Sequence, residues 1–226
     1  MTSQQRRDRL FEEPTPRQQR HQSLLYRFVR PILRAHCSLW FGMRVVRQPG
    51  APDTFGGSVV VANHCCLLDS CMVACAIAPT EARFLALAEN GEARVYGPVV
   101  RALGTIFTGE TIGEARFMVH RCKQVLKEGN ALVVFPEGNL VPYATELQPF
   151  RDGAFRIALG NGAPVVPVAL VQHRRACLNR LLRRRPGFDV HVGAPLESPE
   201  PGSAKQRARS AQERARTAME DMLDGC

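Results

Sequence analysis

Several things are missing from this chain of 226 residues, and each absence removes a class of protein. Its eight cysteines include no pair at CxxC spacing, and no set of four ligands converges in the sequence, which argues against a structural zinc site. No secretory leader precedes the first of them, Cys37, so reduced and mostly buried thiols in a cytosolic compartment are expected rather than a disulfide framework. Aromatic residues make up only 7%, too few for the stacking platforms that hold single-stranded nucleic acid, and no groove-reading motif is present. No apolar run is long enough and free enough of charge to cross a bilayer.

The composition that remains is that of a globular protein. A hydrophobic fraction of 45% can fill a core, and a 23% charged fraction is ordinary. The net charge of +9 favours a polyanionic partner: an anionic membrane surface, a phosphorylated small molecule or nucleic acid.

Residues 1–21 are polar, mixed in charge and hold two prolines, so a flexible tail is expected there. Over residues 22–42, Leu24, Leu25, Phe28, Val29, Ile32, Leu33 and Cys37 recur at helical spacing, with Arg27, Arg30 and Arg34 on the other side. This basic amphipathic helix, ending in Trp40 and Phe41, suits a membrane interface; packing on its own domain is the other reading, and the two are compatible. Residues 43–226 then form the main domain.

Within that domain strands and helices alternate. Strands are expected at 58–62, 83–87, 105–107, 131–135, 165–171 and 189–192; helices at 66–78, 92–103, 113–127, 152–160 and 203–223, with a further basic helical segment at 174–186. Apolar β-branched runs between helices predict an α/β fold, with a mixed, largely parallel sheet flanked by helices and the amphipathic helix in front.

Two strand ends carry chemistry. The run VVVANHCCLLDS places His64 and Asp69 straight after a buried strand. On one regular helix a five-residue step turns about 140°, so the pair would diverge. With His64 in the loop and Asp69 in the first turn of the next helix they can meet, and the acid then fixes the imidazole tautomer for general-base work. Cys65 or Cys66 as a nucleophile is the rival reading, as is a capping Asp beside a structurally satisfied His. The second run, ALVVFPEGN, ends a strand in Pro136, Glu137 and Gly138, a sharp loop at the edge where open α/β sheets bind ligands.

In order and spacing, NHCCLLD, GTIF at 104–107, FPEG at 135–138 and APVVPVAL at 163–170 resemble the four blocks of the glycerolipid acyltransferases, whose best-known members are the 1-acyl-sn-glycerol-3-phosphate acyltransferases; PFRDGAFRIAL at 149–159 also looks like the segment after the third block. The resemblance runs from about residue 40 to 195. It implies that His64 takes the proton from an acceptor hydroxyl, that Asp69 supports its imidazolium, and that the hydroxyl attacks the thioester of acyl-CoA or acyl-carrier protein. It places Glu137, Gly138, Asn139, Gly104, Phe107 and Pro167 in the substrate pockets. It implies a lysolipid acceptor, with the thioester as co-substrate. The sequence itself gives no sign of a metal or organic cofactor, and the amphipathic segment and net charge point to a peripheral position on the inner face of the cell membrane.

Two departures stand out. Glu110 occupies the place where the family's second block normally ends in arginine, and Asn139-Leu140 replaces a Thr-Arg pair in the third. An acceptor other than a bare glycerol phosphate is therefore expected, such as a lysolipid with a zwitterionic or amino-acid head, unless Arg116, Lys123 or Arg151 supplies the missing cation. The clusters at 174–175 and 183–185 are candidates for membrane, coenzyme A or carrier-protein contact. A thioesterase using the same base, or a catalytically silent membrane scaffold, are the alternative readings.

Overall fold

The computed structural model describes residues 3–173, 186–196 and 202–225. Helix α1 (Ser3–Asp8) and a 3-10 turn (Arg9–Phe11) lead into the long α2 (Pro16–Phe41). There follow β1 (Arg44–Arg47), β2 (Val59–Ala62), α3 (Asp69–Ala76), β3 (Ala82–Leu87), α4 (Ala88–Glu92), α5 (Gly97–Ala102), β4 (Ile106–Thr108), α6 (Ile112–Lys127), β5 (Ala131–Val134), α7 (Gly153–Asn161), β6 (Val165–His173), β7 (Gly187–Val192) and α8 (Ala204–Asp224).

The strands form one sheet in the order β1-β7-β6-β2-β5-β3-β4. From β6 to β4 every neighbour is parallel; β7 runs antiparallel to β6, and β1 parallel to β7. The central strands β2 and β5 are buried at every residue, as continuous apolar runs in a two-sided sheet require. Val60, Ala62, Val133 and Val168 face α2 and α3, while Val59, Val61, Leu132 and Val165 face α6, α7 and α8. Period-two alternation thus sends neighbouring residues of β2 to opposite helical layers. Phe155 of α7 is fully buried in the second layer, and truncating it to alanine should cost about 3–5 kcal/mol.

The expected α/β architecture is the one observed, with strand boundaries shifted by a residue or two. The helix expected at 92–103 is two short helices, because Gly97-Pro98 starts a new one at α5. The edge strand β1 was not anticipated. The basic segment at 174–186 lies outside the described residues apart from Pro186.

The amino end differs most from expectation. Residues 3–21, read as a flexible tail, are largely helical and packed. Leu10 is buried, Phe11 meets Phe117 edge-on at 6.1 Å, and Arg7 pairs with Glu92, Glu110 and Glu114. Helix α2 begins at Pro16, not near 22, because Thr15 and Gln18 form a capping box around a proline in the first turn. It then lies on the sheet through Tyr26, Cys37 and Phe41, the last packed edge-on against Phe188 of β7. Its other side leaves Leu25, Phe28, Ile32 and Leu39 exposed at helical spacing. Among the described residues no helix is long and apolar enough to cross a membrane.

Candidate active site

All five parallel strands end at one edge of the sheet, and β2 delivers His64 there. The Asn63 side chain extends the β2–β6 ladder past its last pair: Nδ2 donates to the Leu170 carbonyl (3.2 Å), and the Leu170 N–H donates to Oδ1 (2.7 Å). This anchors the point where the chain leaves the sheet.

Asp69 is the first residue of α3 and is wholly buried. Its Oδ2 accepts the backbone N–H groups of Cys65 (2.7 Å) and Cys66 (2.8 Å) and meets His64 Nδ1 at 2.8 Å. The turn between the two residues folds around one carboxylate oxygen, which is how a five-residue separation becomes a contact. Burial raises the Asp69 carboxyl, while the hydrogen bonds from His64, Cys66 and Cys65 oppose that rise and favour the charged form.

The His64 ring stacks on Phe135 with centroids 4.4 Å apart. With Nδ1 directed at Asp69, the tautomer assigned from the hydrogen bonds puts the lone pair on Nε2. The ring is held by Asp69 and Phe135, and its side chain is 24% exposed. The neighbouring thiols fit a nucleophilic role poorly: Cys65 is 1% exposed, and burial raises its thiol above the ordinary cysteine range. Of the six described cysteines, all free, five are buried and Cys71 is half-buried.

Glu137 reaches the same point from β5. Its Oε2 accepts the His64 backbone N–H at 3.3 Å. Oε1 is buried with no hydrogen-bond partner among the described residues. Burial lifts this carboxyl to about 7, against the N–H groups of His64 and Gln148, which favour its charge. The following loop is laced to the histidine turn, the Val141 N–H donating to the His64 carbonyl (3.2 Å) and the Tyr143 N–H to that of Cys65 (2.7 Å). Gly138 adopts φ +78°, and Asn139 is exposed beside it. Thus His64, Asp69, Glu137, Gly138 and Asn139 come together.

Gly104, Phe107 and Pro167 do not join them. Gly104 precedes β4 at the opposite edge of the sheet and lines a cavity of about 1100 Å³ with Gln22, Arg101 and Arg121. Phe107 packs with Leu10 and Ala88 under α4. Pro167 is buried on the α8 face, where it and Met222 crowd Gly193. Odd and even residues of β6 face opposite layers, so Pro167 is turned away from the side that His64 occupies. Phe107 and Pro167 thus pack within the fold, while Gly104 borders a cavity remote from His64.

Glu110 follows β4 at the same edge as His64. Its carboxylate meets Arg7 at 3.2 Å, and Arg7 also pairs with Glu114 (3.1 Å) and Glu92 (3.4 Å). Three carboxylates share one guanidinium, which holds Glu114 down at about 2. Only the fold reveals this contact, since Arg7 lies in a segment whose composition reads as a tail. Of the three candidate replacement cations, Lys123 and Arg116 are exposed on α6, and only Arg151 packs against the third block, at Gly138. Among the described residues no group of three His, Cys, Asp or Glu side chains is placed to hold a metal ion.

Leu67, at the tip of the His64–Asp69 turn, is 83% exposed, and Val141 and Tyr143 are exposed on the facing loop. With the outer stripe of α2 they give the surface several large apolar side chains.

The family described as Acyltransferase matches residues 44–171. A 1-acyl-sn-glycerol-3-phosphate acyltransferase of Helicobacter pylori is 30% identical over 141 residues, 61% of this chain and 59% of that protein. A lyso-ornithine lipid O-acyltransferase of Pseudomonas aeruginosa is 30% identical over 178 residues, 70% of this chain and 66% of that protein. The chain thus spans about three-fifths to two-thirds of the length of these two curated relatives. The crystal structure of the 1-acyl-sn-glycerophosphate acyltransferase PlsC from Thermotoga maritima has the same fold, with a TM-score of 0.63 at 20% identity, covering 95% of this chain and 85% of that one.

Proposed function

The chain belongs to the glycerolipid acyltransferase family, and from that premise we propose that it esterifies a hydroxyl of a lysolipid with a fatty acyl group from acyl-CoA or acyl-carrier protein. The observation that carries the reading is the 2.8 Å contact of His64 Nδ1 with buried Asp69, which leaves Nε2 as the basic nitrogen of a ring beside the Glu137 loop.

In this reading the acceptor hydroxyl gives its proton to His64 Nε2 as its oxygen attacks the thioester carbonyl carbon. Asp69 stabilises the imidazolium that forms. The tetrahedral intermediate collapses by breaking the carbon–sulfur bond, and the proton passes from Nε2 to the leaving thiolate. The products are an ester and a free thiol, with no acyl-enzyme. General-base assistance of this kind is worth about 10²–10⁴-fold. Gly138 and Asn139 border the acceptor, and Glu137 holds the His64 backbone.

The acceptor we favour is not a bare glycerol phosphate. Glu110 and its two companion acids share a single arginine, so a dianionic phosphate gains no free cation at that point. A lysolipid with a zwitterionic or amino-acid head fits better, and one relative carries the name of such an activity. The exposed stripe of α2 and the charge of +9 support peripheral attachment to the anionic inner face of the cell membrane.

An acceptor screen tests this. The purified protein, given acyl-CoA or acyl-carrier protein, should form diacyl product from lyso-ornithine lipid or lysophosphatidylcholine faster than from lysophosphatidic acid. Release of free fatty acid alone would replace transfer with hydrolysis, and preferred turnover of lysophosphatidic acid would overturn the headgroup argument.

A further inference from the structure

We infer that Arg151 is the anion subsite of the acceptor headgroup, gripping a singly charged carboxylate or phosphodiester at the mouth of the His64 site; this rests on the acyl-transfer reading above.

The arginine is held in place from three sides. Its backbone N–H donates to the Pro136 carbonyl at 2.8 Å, tying it to the start of the Glu137 loop. Three of the four residues before it are clamped by α8: Arg216 donates to the carbonyls of Gln148 (3.0 Å) and Leu147 (3.2 Å), and Gln212 to that of Phe150 (2.7 Å). The side chain then crosses Gly138 so closely that a Cβ there would come within 2.8 Å of Nε and 2.9 Å of Cζ. Gly138 therefore serves twice, by its φ of +78° and by making room for a guanidinium.

Among the described residues no carboxylate pairs with the Arg151 guanidinium, and the adjacent Asp152 is turned to Arg156 at 3.6 Å. Arg7, also at this edge of the sheet, is consumed by three acids. Arg151 thus offers a solvent-facing fork, one residue from the carboxylate that holds His64, and a fork of this shape accepts a carboxylate or phosphate bidentately. One guanidinium beside Glu137 suits one negative charge, which matches a lipid with an amino-acid or phosphodiester head.

The test is equilibrium binding, which needs no turnover. Lyso-ornithine lipid and monoacylglycerol are presented in neutral detergent micelles to the full chain and to Arg151→Gln, Arg151→Lys and Arg116→Gln. Arg151→Gln should weaken lyso-ornithine lipid about 10-fold or more and monoacylglycerol hardly at all. Arg151→Lys, which keeps charge but loses the fork, should fall between, and it carries the test if the glutamine variant does not fold. Arg116→Gln, with the same change in net charge, should match wild type. Equal losses for both lipids, or no difference between the Arg151 and Arg116 variants, would overturn the assignment. If the subsite behaves as expected but no acceptor is ever acylated, the enzymatic reading falls and the subsite stands.

Discussion

The backbone N–H of His64 is bonded to the side chain of Glu137, 73 positions further along the chain, at 3.3 Å. Two strand ends that each looked ambiguous in isolation are parts of one hydrogen-bonded unit, and that unit can be dissected.

His64→Ala should lower acyl transfer by about 10²–10⁴-fold, the usual worth of a positioned base. The ring is partly exposed, so the unfolding midpoint should move little. Product formation and urea unfolding on one preparation check both halves; retained activity would remove the histidine from the mechanism.

Asp69→Ala should be the more damaging change to the fold. It leaves the Cys65 and Cys66 N–H groups and the imidazole without their shared acceptor in a buried site, for a loss of about 2–5 kcal/mol. Urea denaturation should rank it well below His64→Ala.

Glu137 gives the pH dependence. Burial raises its carboxyl to about 7 in the folded protein, above the ordinary value of about 4.3. The folded state therefore binds the extra proton between those values. Stability from this group is full below the lower value and is lost as pH rises towards 7. Relative to Glu137→Gln, wild type should lose stability between pH 5 and 7 and run parallel above pH 8. Parallel curves throughout would show that the carboxyl titrates normally.

Phe28→Asp and Ile32→Asp, at sites 71% and 69% exposed, should leave the unfolding midpoint unchanged. Each should weaken binding to vesicles containing phosphatidylglycerol by about 10-fold or more, since burying such a side chain is worth about 1.5–3 kcal/mol. Unchanged co-sedimentation would detach this helix from the bilayer.

Much of this was legible beforehand, for specific reasons. The alternation of apolar runs with helical stretches exposes the layered fold because β2 and β5 are buried on both faces. The His64–Asp69 and Glu137 unit could be expected because each follows a strand end. Gly104, Phe107 and Pro167 lie apart from His64, which the block pattern does not reveal because only strand register separates the two faces. Arg7 was invisible because polar composition conceals a residue that folds back on acids about 85 to 107 positions away. The Thr15–Gln18 capping box was the available signal that this segment is not a tail.

Helix α2 touches β7 at Phe41 and, through the turn before it, the far edge of the sheet at Leu10 and Phe107. A helix braced at both ends is no tether. If its outer stripe enters lipid, the whole sheet must take a set angle to the bilayer, so the reactive mouth would meet each incoming lipid at one fixed height rather than swing above it on a leash.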